Sequence, residues 1–200
     1  MRYASAIVCC CLAAAACRGD DRPDETAAAP AIDSAVAGIT GDTVRDTTNA
    51  VGDTTVTATA VMQDAAGKEL GTVTLTDAAD GIAVSGAITG LPPGEHGFHV
   101  HAVGQCAPPF ESAGPHWNPS SKQHGTLNPA GPHAGDLGNL NVGPAGTVTA
   151  AGTTRGGRLS ELLDADGAAL VVHEKVDDYR TDPSGNSGAR IACGVIQRAP

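Results

Sequence analysis

The sequence predicts an all-β, antiparallel domain, a Greek-key β-barrel or sandwich with long loops. Short segments alternate apolar or β-branched residues with small polar ones, which is the period of a half-buried strand. No stretch of a dozen residues has a convincing helical period. Aromatic residues make up 2% of the chain, which suits a core of Val, Ile, Leu and Ala in short strands.

Seven segments are predicted as strands, because Gly, Pro and Asp interrupt the alternating runs between them. They cover residues 55–61, 70–75, 82–88, 97–103, 146–151, 168–173 and 191–196. A single helical turn is expected at 160–163. Residues 104–144 would then form a loop far longer than ordinary connections, which needs an internal scaffold. We expect a metal and a disulfide to provide it.

Residues 1–16 are predicted to be a signal peptide, since Arg2 precedes an apolar run that is too short to span a bilayer. The alternative is a buried N-terminal helix. The run Ala-Ala-Ala before Cys17 resembles the lipobox of bacterial lipoproteins, although Ala14 stands where that motif usually has Leu. The resemblance implies an exported lipoprotein of the periplasm or cell envelope, which would touch a membrane only through a lipid on Cys17.

Residues 17–53 are predicted to be a disordered acidic tether that leads to a domain at 54–200. From residue 18 onward the tether has eight acidic and three basic residues and almost no large apolar side chain. Such a segment buries too little surface to offset its ordering entropy. The whole chain has a net charge of −10 and its domain has no basic stripe, which argues against nucleic acid as a partner.

The six cysteines divide by their position in the chain. The first three, at residues 9–11, would leave with the signal peptide, and Cys17 would be lipidated. Cys106 and Cys193 remain as a pair, which predicts a disulfide in an exported protein. The alternative is two free buried thiols.

All seven histidines lie between residues 96 and 173. His99 and His101 are two residues apart, so their side chains leave one face of a strand, and His173 ends another apolar strand. The long loop adds three imidazoles and a carboxylate, which form a complete tetrahedral set for zinc. These residues are His116, His124, His133 and Asp136. The concentration predicts a metal centre rather than scattered surface or core histidines.

Five segments resemble copper,zinc superoxide dismutase, in particular its exported bacterial branch. They are GFHVH at 97–101, SAGPHWNP at 112–119, HAGDLGN at 133–139, LVVHEK at 170–175 and GARIACG at 188–194. The resemblance covers nearly all of 54–200. It implies an enzyme that converts superoxide anion to oxygen and hydrogen peroxide, with copper and zinc as cofactors. A homodimer is a candidate assembly.

The resemblance also implies the metal ligands. Copper would be held by His99, His101, His116 and His173. Zinc would be held by His116, His124, His133 and Asp136. His116 would therefore bridge the two metals and pass a proton during catalysis.

Further residues take roles from the same resemblance. Asp177 would link a copper histidine to a zinc histidine, with Asp178 as the competitor for that role. Arg190 would orient superoxide beside copper, and His96 would be structural rather than a ligand. Because the segment from His173 to Arg190 is short, Lys175 and Arg180 are the cations left for steering the substrate.

A lipoprotein that binds copper and zinc without turnover, to buffer or deliver them, is the alternative function. Arg190 and the complete set of four copper positions favour the enzyme. A purely structural zinc domain would not explain His99, His101 and His173.

Overall fold

A computed structural model describes residues 56–200, all of which belong to one compact unit. The predicted signal peptide, the lipidation site Cys17 and the tether lie outside the described residues and stay predictions. Within the described part, no helix is long and apolar enough to cross a membrane.

Eight antiparallel strands build the domain. They are β1 (Thr57–Asp64), β2 (Glu69–Ala78), β3 (Gly81–Thr89), β4 (Gly94–His101), β5 (Asp136–Val142), β6 (Thr147–Thr153), β7 (Ala169–His173) and β8 (Arg190–Arg198). They form one sheet in the order β5-β4-β7-β8-β1-β2-β3-β6, and the edge strands β5 and β6 contact each other. The result is a nearly closed barrel in which spatial neighbours such as β4 and β7 are not consecutive in sequence, as in Greek-key folds. The predicted all-β class is confirmed.

The core lies inside this barrel and follows the predicted alternation. On β1, for example, Ala58, Ala60 and Met62 are fully buried, whereas Val61 is exposed. The predicted helical turn is also present, as α1 (Leu159–Leu162), where Leu159 and Leu162 are buried. Seven of the observed strands overlap the seven predicted ones.

Strand β4 is buried on both faces from His96 onward. Phe98 and Val100 belong to the barrel core, so His99 and His101, which alternate with them, point to the opposite side of the sheet. That side is covered by the connection between β4 and β5. The candidate metal ligands on β4 therefore lie outside the barrel and beneath a loop.

The eighth strand, β5, was not predicted, and the prediction of a continuous loop over 104–144 is wrong at its C-terminal end. The segment DLGNLNV is polar and carries a glycine, and its only regular apolar positions are Leu140 and Val142. It becomes a strand because its backbone pairs with β4 from Gly94 to His99. Pairing between residues 37 to 48 positions apart is a tertiary effect that a local sequence pattern does not predict.

Backbone hydrogen bonds fasten the connection at 102–135 to β4. The Val100 N–H donates to the Gly135 carbonyl at 2.9 Å, and the Val100 carbonyl accepts from Trp117 N–H at 2.8 Å. A Cβ on Gly135 would overlap the Val100 carbonyl, so only glycine allows this approach. Main-chain hydrogen bonds of the kind that join neighbouring strands therefore hold the loop next to the ligands.

The predicted disulfide between Cys106 and Cys193 is present and joins the same connection to β8. Its sulfur atoms lie in a small apolar cluster with Phe110, Ala113 and Val171. Because Arg190 is three residues before Cys193, the bridge ties the arginine's strand to the loop that faces it.

Replacing Cys106 and Cys193 together with serine is expected to lower the free energy of unfolding by about 4–5 kcal/mol. The two residues are 87 positions apart, so the bridge removes a large loop-closure entropy from the unfolded chain. Denaturant titration of the parent and the double variant measures the difference. A loss below about 1 kcal/mol would contradict the expectation.

Candidate metal centre

Three neighbouring backbone segments bring four histidines together. His99 and His101 lie on β4, and His173 is the last residue of β7, which pairs with β4. His116 lies in the connection, and its backbone forms a bridge with His101. We call His99, His101, His116 and His173 the first set; one ring nitrogen of each lies within 4.8 Å of the others.

The second ring nitrogen of each strand histidine in the first set is held in place. His99 Nε2 donates to Asp177 Oδ2 at 2.8 Å, and His101 Nδ1 donates to the Gly114 carbonyl at 2.8 Å. His173 Nδ1 lies 3.3 Å from the Gly188 carbonyl. Such contacts fix the tautomer and aim the remaining nitrogen at a common point, as in metal sites.

Two atoms of the first set have no hydrogen-bond partner within the described chain. They are His99 Nδ1 and His116 Nε2, and both are buried. Buried polar atoms are almost always paired, so an unpaired nitrogen needs an explanation. A bound metal ion provides one, because neutral imidazole nitrogen is a preferred ligand of transition metals.

A second set, His116, His124, His133 and Asp136, adjoins the first. Asp136 Oδ1 lies 3.0 Å from His116 Nδ1, 3.1 Å from His124 Nδ1 and 3.3 Å from His133 Nδ1. His133 Nδ1 is 3.5 Å from His116 Nδ1. Ligands about 2.0–2.1 Å from a tetrahedral zinc ion are separated by about 3.3 Å, so these atoms fit that ion.

His99 is also close to the second set. Its ligand atom lies within 4.8 Å of those of His116, His124 and Asp136, in a group that does not include His133. We nevertheless place His133 in the second set, since its Nδ1 is near both Asp136 Oδ1 and His116 Nδ1. His99 uses Nε2 for Asp177, which leaves only Nδ1, the unpaired atom that belongs to the first set.

Asp177 connects the two sets through a single buried carboxylate. Its Oδ2 accepts from His99 Nε2 at 2.8 Å and its Oδ1 accepts from His124 Nε2 at 2.9 Å. Asn139 on β5 holds the backbone of Asp177 by two hydrogen bonds of 2.8 and 2.9 Å. The competitor Asp178 instead accepts hydrogen bonds inside its own turn, from Thr181 among others.

Burial sets the protonation of the first set. Desolvation lowers the pKa of His116 to about 4 and that of His173 to about 3, and it also lowers the pKa of His99 and His101. These rings are therefore neutral near pH 7. Neutral imidazole is the form that binds metal.

The second set behaves differently because it contains a carboxylate and contacts another. Burial favours neutral His124, but hydrogen bonds with Asp136 and Asp177 outweigh it and raise the pKa of His124 to about 9. Burial would raise the pKa of Asp136, yet hydrogen bonds with His116 and His124 hold it well below its usual range. Asp136 is thus an anion at neutral pH, as a metal-binding carboxylate must be.

A cavity of about 760 Å³ opens over the first set, with His101, His116 and His173 in its wall. Arg190 also lines it, and its side chain is 14% exposed. The guanidinium donates from Nη1 to the Phe110 carbonyl at 2.7 Å and from Nη2 to the Gly114 carbonyl at 2.8 Å. The arginine is therefore fixed at the cavity next to the first set.

His96 belongs to neither set of candidate ligands, although its ring contacts the backbone of a first-set residue. Its Nδ1 contacts the His173 carbonyl at 2.8 Å and its Nε2 contacts the Pro92 carbonyl at 2.9 Å. Because both ring nitrogens contact backbone carbonyls, this buried histidine connects β4 to the end of β7 and to the turn before β4.

Sequence reasoning missed three charged residues of the cavity wall, Glu111, Lys122 and Asp182. The two cations predicted for steering, Lys175 and Arg180, are not among the described residues that line it. Lys122 could have been noticed because it stands two residues before His124. Glu111 and Asp182 lie in separate loops, and nothing in their local sequence indicates that they face one cavity.

Fold and site together define a β-barrel metalloprotein with two adjoining sets of ligands. A sequence profile of the copper/zinc superoxide dismutase (SODC) family matches residues 69–196, which is more than half of the chain. The chain belongs to this family. It is similar to a copper-zinc superoxide dismutase of Aquifex aeolicus, with 42% identity over 138 residues that cover 66% of this chain and 82% of the relative.

Solved structures also resemble this chain in fold and sequence. A SOD-like protein from Bacillus subtilis has 41% identity and a TM-score of 0.66, over 70% of this chain and 97% of that one. The Cu/Zn superoxide dismutase from Brucella abortus has 36% identity and a TM-score of 0.61, over 70% of this chain and 99% of that one. The similarity therefore spans nearly the whole of each of these two structures.

Proposed function

We propose that this protein is a superoxide dismutase that converts two superoxide anions and two protons into oxygen and hydrogen peroxide. The first set would hold copper and the second set zinc, with His116 shared between them. The proposal rests on two buried nitrogens, His99 Nδ1 and His116 Nε2, which have no hydrogen-bond partner among residues 56–200 and lie beside a cavity that Arg190 lines.

Bound copper supplies the one-electron oxidation and reduction that the reaction needs, whereas zinc has no accessible redox state. Arg190 presents a permanent positive charge and forked donors to an anion in the cavity. The Phe110 and Gly114 carbonyls accept from one N–H group each, and the guanidinium has further N–H groups that can bind an anion in the cavity. Because these carbonyls already fix the guanidinium, it does not reorganise when the anion arrives.

His116 Nε2 is the atom we assign to proton transfer. Its Nδ1 lies 3.0 Å from Asp136 Oδ1, which anchors the ring while Nε2 faces the first set. A proton carried on Nε2 lies on the side of the ring that faces the first set, within reach of a peroxide bound in the cavity, so Nε2 would act as a general acid. Giving up this proton would return Nε2 to its deprotonated form, and the second proton of hydrogen peroxide would come from solvent.

The experiment is a superoxide turnover assay on the full chain loaded with copper and zinc. We expect superoxide-dependent turnover well above that of the same concentration of free copper. Turnover no faster than free copper, in protein whose metal content has been verified, would contradict the proposal.

The second candidate function is metal binding without turnover. It is favoured by the similarity to a protein described as SOD-like, from Bacillus subtilis. Against it stand the complete first set and the fixed Arg190, which a storage site does not require. The turnover assay separates the two functions.

Zinc uptake by the metal-free protein at pH 7 is expected to release about one proton. The pKa of His124 is raised to about 9 by Asp136 and Asp177, so its imidazole is protonated at pH 7 and must lose the proton from Nδ1 to become a ligand. The apparent zinc affinity therefore rises with pH up to about 9. Calorimetry in buffers of different ionisation enthalpy counts the protons, and a count near zero would contradict the expectation.

We also propose that the protein is exported and held at a membrane by a lipid on Cys17. The apolar segment before this cysteine supports export, and a disulfide in the domain suits an oxidising compartment. Cys17→Ala is expected to move the protein from the membrane fraction to the soluble fraction of the cell envelope. An unchanged distribution would refute the anchor, and the homodimer stays a prediction.

A further inference from the structure

The cavity over the first set is lined by two cations and two anions. The cations are Lys122 and Arg190, and the anions are Glu111 and Asp182. A cleft lined by one sign of charge concentrates ions of the opposite sign. Here the fixed side-chain charges cancel, so the protein's own carboxylates oppose the attraction that its arginine exerts on an anion.

The two carboxylates differ in what they contact. Asp182 Oδ1 accepts from the His124 backbone N–H at 2.6 Å and lies 3.6 Å from His133 Nε2, so it is engaged with the second set. Glu111 is 73% exposed, and its Oε2 lies 3.5 Å from Arg190 Nη2. Glu111 is therefore the anion that acts directly on the arginine.

Arg190 does not depend on Glu111 for its position. The Phe110 and Gly114 carbonyls hold its two terminal nitrogens at 2.7 and 2.8 Å, and both belong to a loop segment fixed by the disulfide and by a buried apolar cluster. An exposed ion pair, by contrast, contributes little to orientation or stability. Removing the Glu111 carboxylate thus changes the charge at the cavity while the guanidinium stays in place.

We propose that Glu111 determines which anions the cavity admits and how fast, by partly neutralising Arg190. This inference rests on the proposed function, because the anion that matters there is superoxide. An anion on Arg190 would lie about 6 Å from the Glu111 carboxylate, where the repulsion in water corresponds to about a threefold change for a single negative charge. The repulsion energy doubles for a divalent anion, so the threefold change becomes about ninefold. Glu111 therefore discriminates against hydrogen phosphate more strongly than against superoxide.

The test compares Glu111→Gln with the parent, both as the full chain loaded with copper and zinc. We expect kcat/KM for superoxide to rise about threefold at an ionic strength of about 0.01 M, where the screening length is about 30 Å. The rise should largely disappear at about 1 M, where that length is about 3 Å. Glu111→Lys should increase the low-salt value further, which distinguishes charge from side-chain shape.

Glu69→Gln is the matched control. Glu69 is exposed at the start of β2 and does not line the cavity, yet its replacement changes the net charge equally. We expect it to leave kcat/KM within the error of the parent value. If Glu69→Gln and Glu111→Gln raise the rate equally, net charge is responsible and the inference is wrong.

A readout independent of turnover is anion binding by calorimetry, with azide as the monovalent probe and inorganic phosphate as the divalent one. Glu111→Gln should tighten azide binding about threefold and phosphate binding about ninefold. Unchanged affinities would overturn the inference even if the enzyme is active. An inactive parent would instead overturn the proposed function, and the two titrations would still decide the role of Glu111.

Discussion

Replacing His99 with alanine is expected to abolish superoxide turnover while the protein still binds zinc. The change removes a buried ring nitrogen, Nδ1, that has no hydrogen-bond partner in the described chain and that we assign to copper. The second set keeps all four of its ligand atoms. Asp177 loses its contact with His99 but retains His124 Nε2 at 2.9 Å, so zinc affinity should fall by less than about tenfold.

Metal analysis and the turnover assay on the same preparation measure both effects. His96→Gln is the control, because His96 is a buried histidine of the same strand. Both hydrogen bonds of its ring within the described chain are to backbone carbonyls. It should keep both metals and most of the activity even if it lowers stability. Full turnover in the His99 variant would show that the copper assignment is wrong.

Much of this site follows from residue type and spacing. A pair of histidines two apart on a strand must share a face. His173 was recognised at the end of another strand, and the pairing of β7 with β4 brings it next to them. The prediction for the second set rests on chemistry, since three imidazoles and one carboxylate within 21 residues suit zinc. In the structure these residues form two adjoining groups of close ligand atoms, and the assignment of individual metals remains a proposal.

The features that the sequence did not predict depend on contacts between distant segments. Strand β5 forms through pairing with β4, and its first residue is Asp136, so the strand that was missed positions a predicted ligand. Likewise, Asn139 is in a recognised motif, but its two hydrogen bonds to Asp177 cross 38 positions. Local patterns report periodicity and residue chemistry, whereas such partners are set by how the barrel and its loops pack.

The charged residues around the cavity also could not be predicted from local sequence. Sequence reasoning proposed Lys175 and Arg180 because they lie in the short segment before Arg190. Arg180 instead donates from Nη1 to the Leu127 carbonyl at 3.2 Å, and Lys122 from the opposite loop lines the cavity. Electrostatics at an opening depends on which side chains the folded loops bring to it, and sequence position gives little information on that.

Replacing Asp177 with asparagine is expected to weaken zinc binding about 10- to 100-fold. The carboxylate accepts from His99 Nε2 and His124 Nε2 with its two oxygens, whereas an amide has one accepting oxygen and an NH₂ group that would face a ring N–H. One histidine therefore loses the partner that fixes its tautomer. Copper binding should weaken as well, but less if the amide oxygen stays on His99.

The zinc affinity can be measured by competition with a chelator, and cobalt in the zinc site reports the coordination geometry through its absorbance. Asp178→Asn is the matched control, because Asp178 is the adjacent residue, bears the same charge and accepts hydrogen bonds from nearby loop residues rather than from a histidine of either set. It should leave zinc affinity within about threefold of the parent value. If both variants lost zinc equally, the effect would come from the loop as a whole, and the connection of the two sets through Asp177 would have to be abandoned.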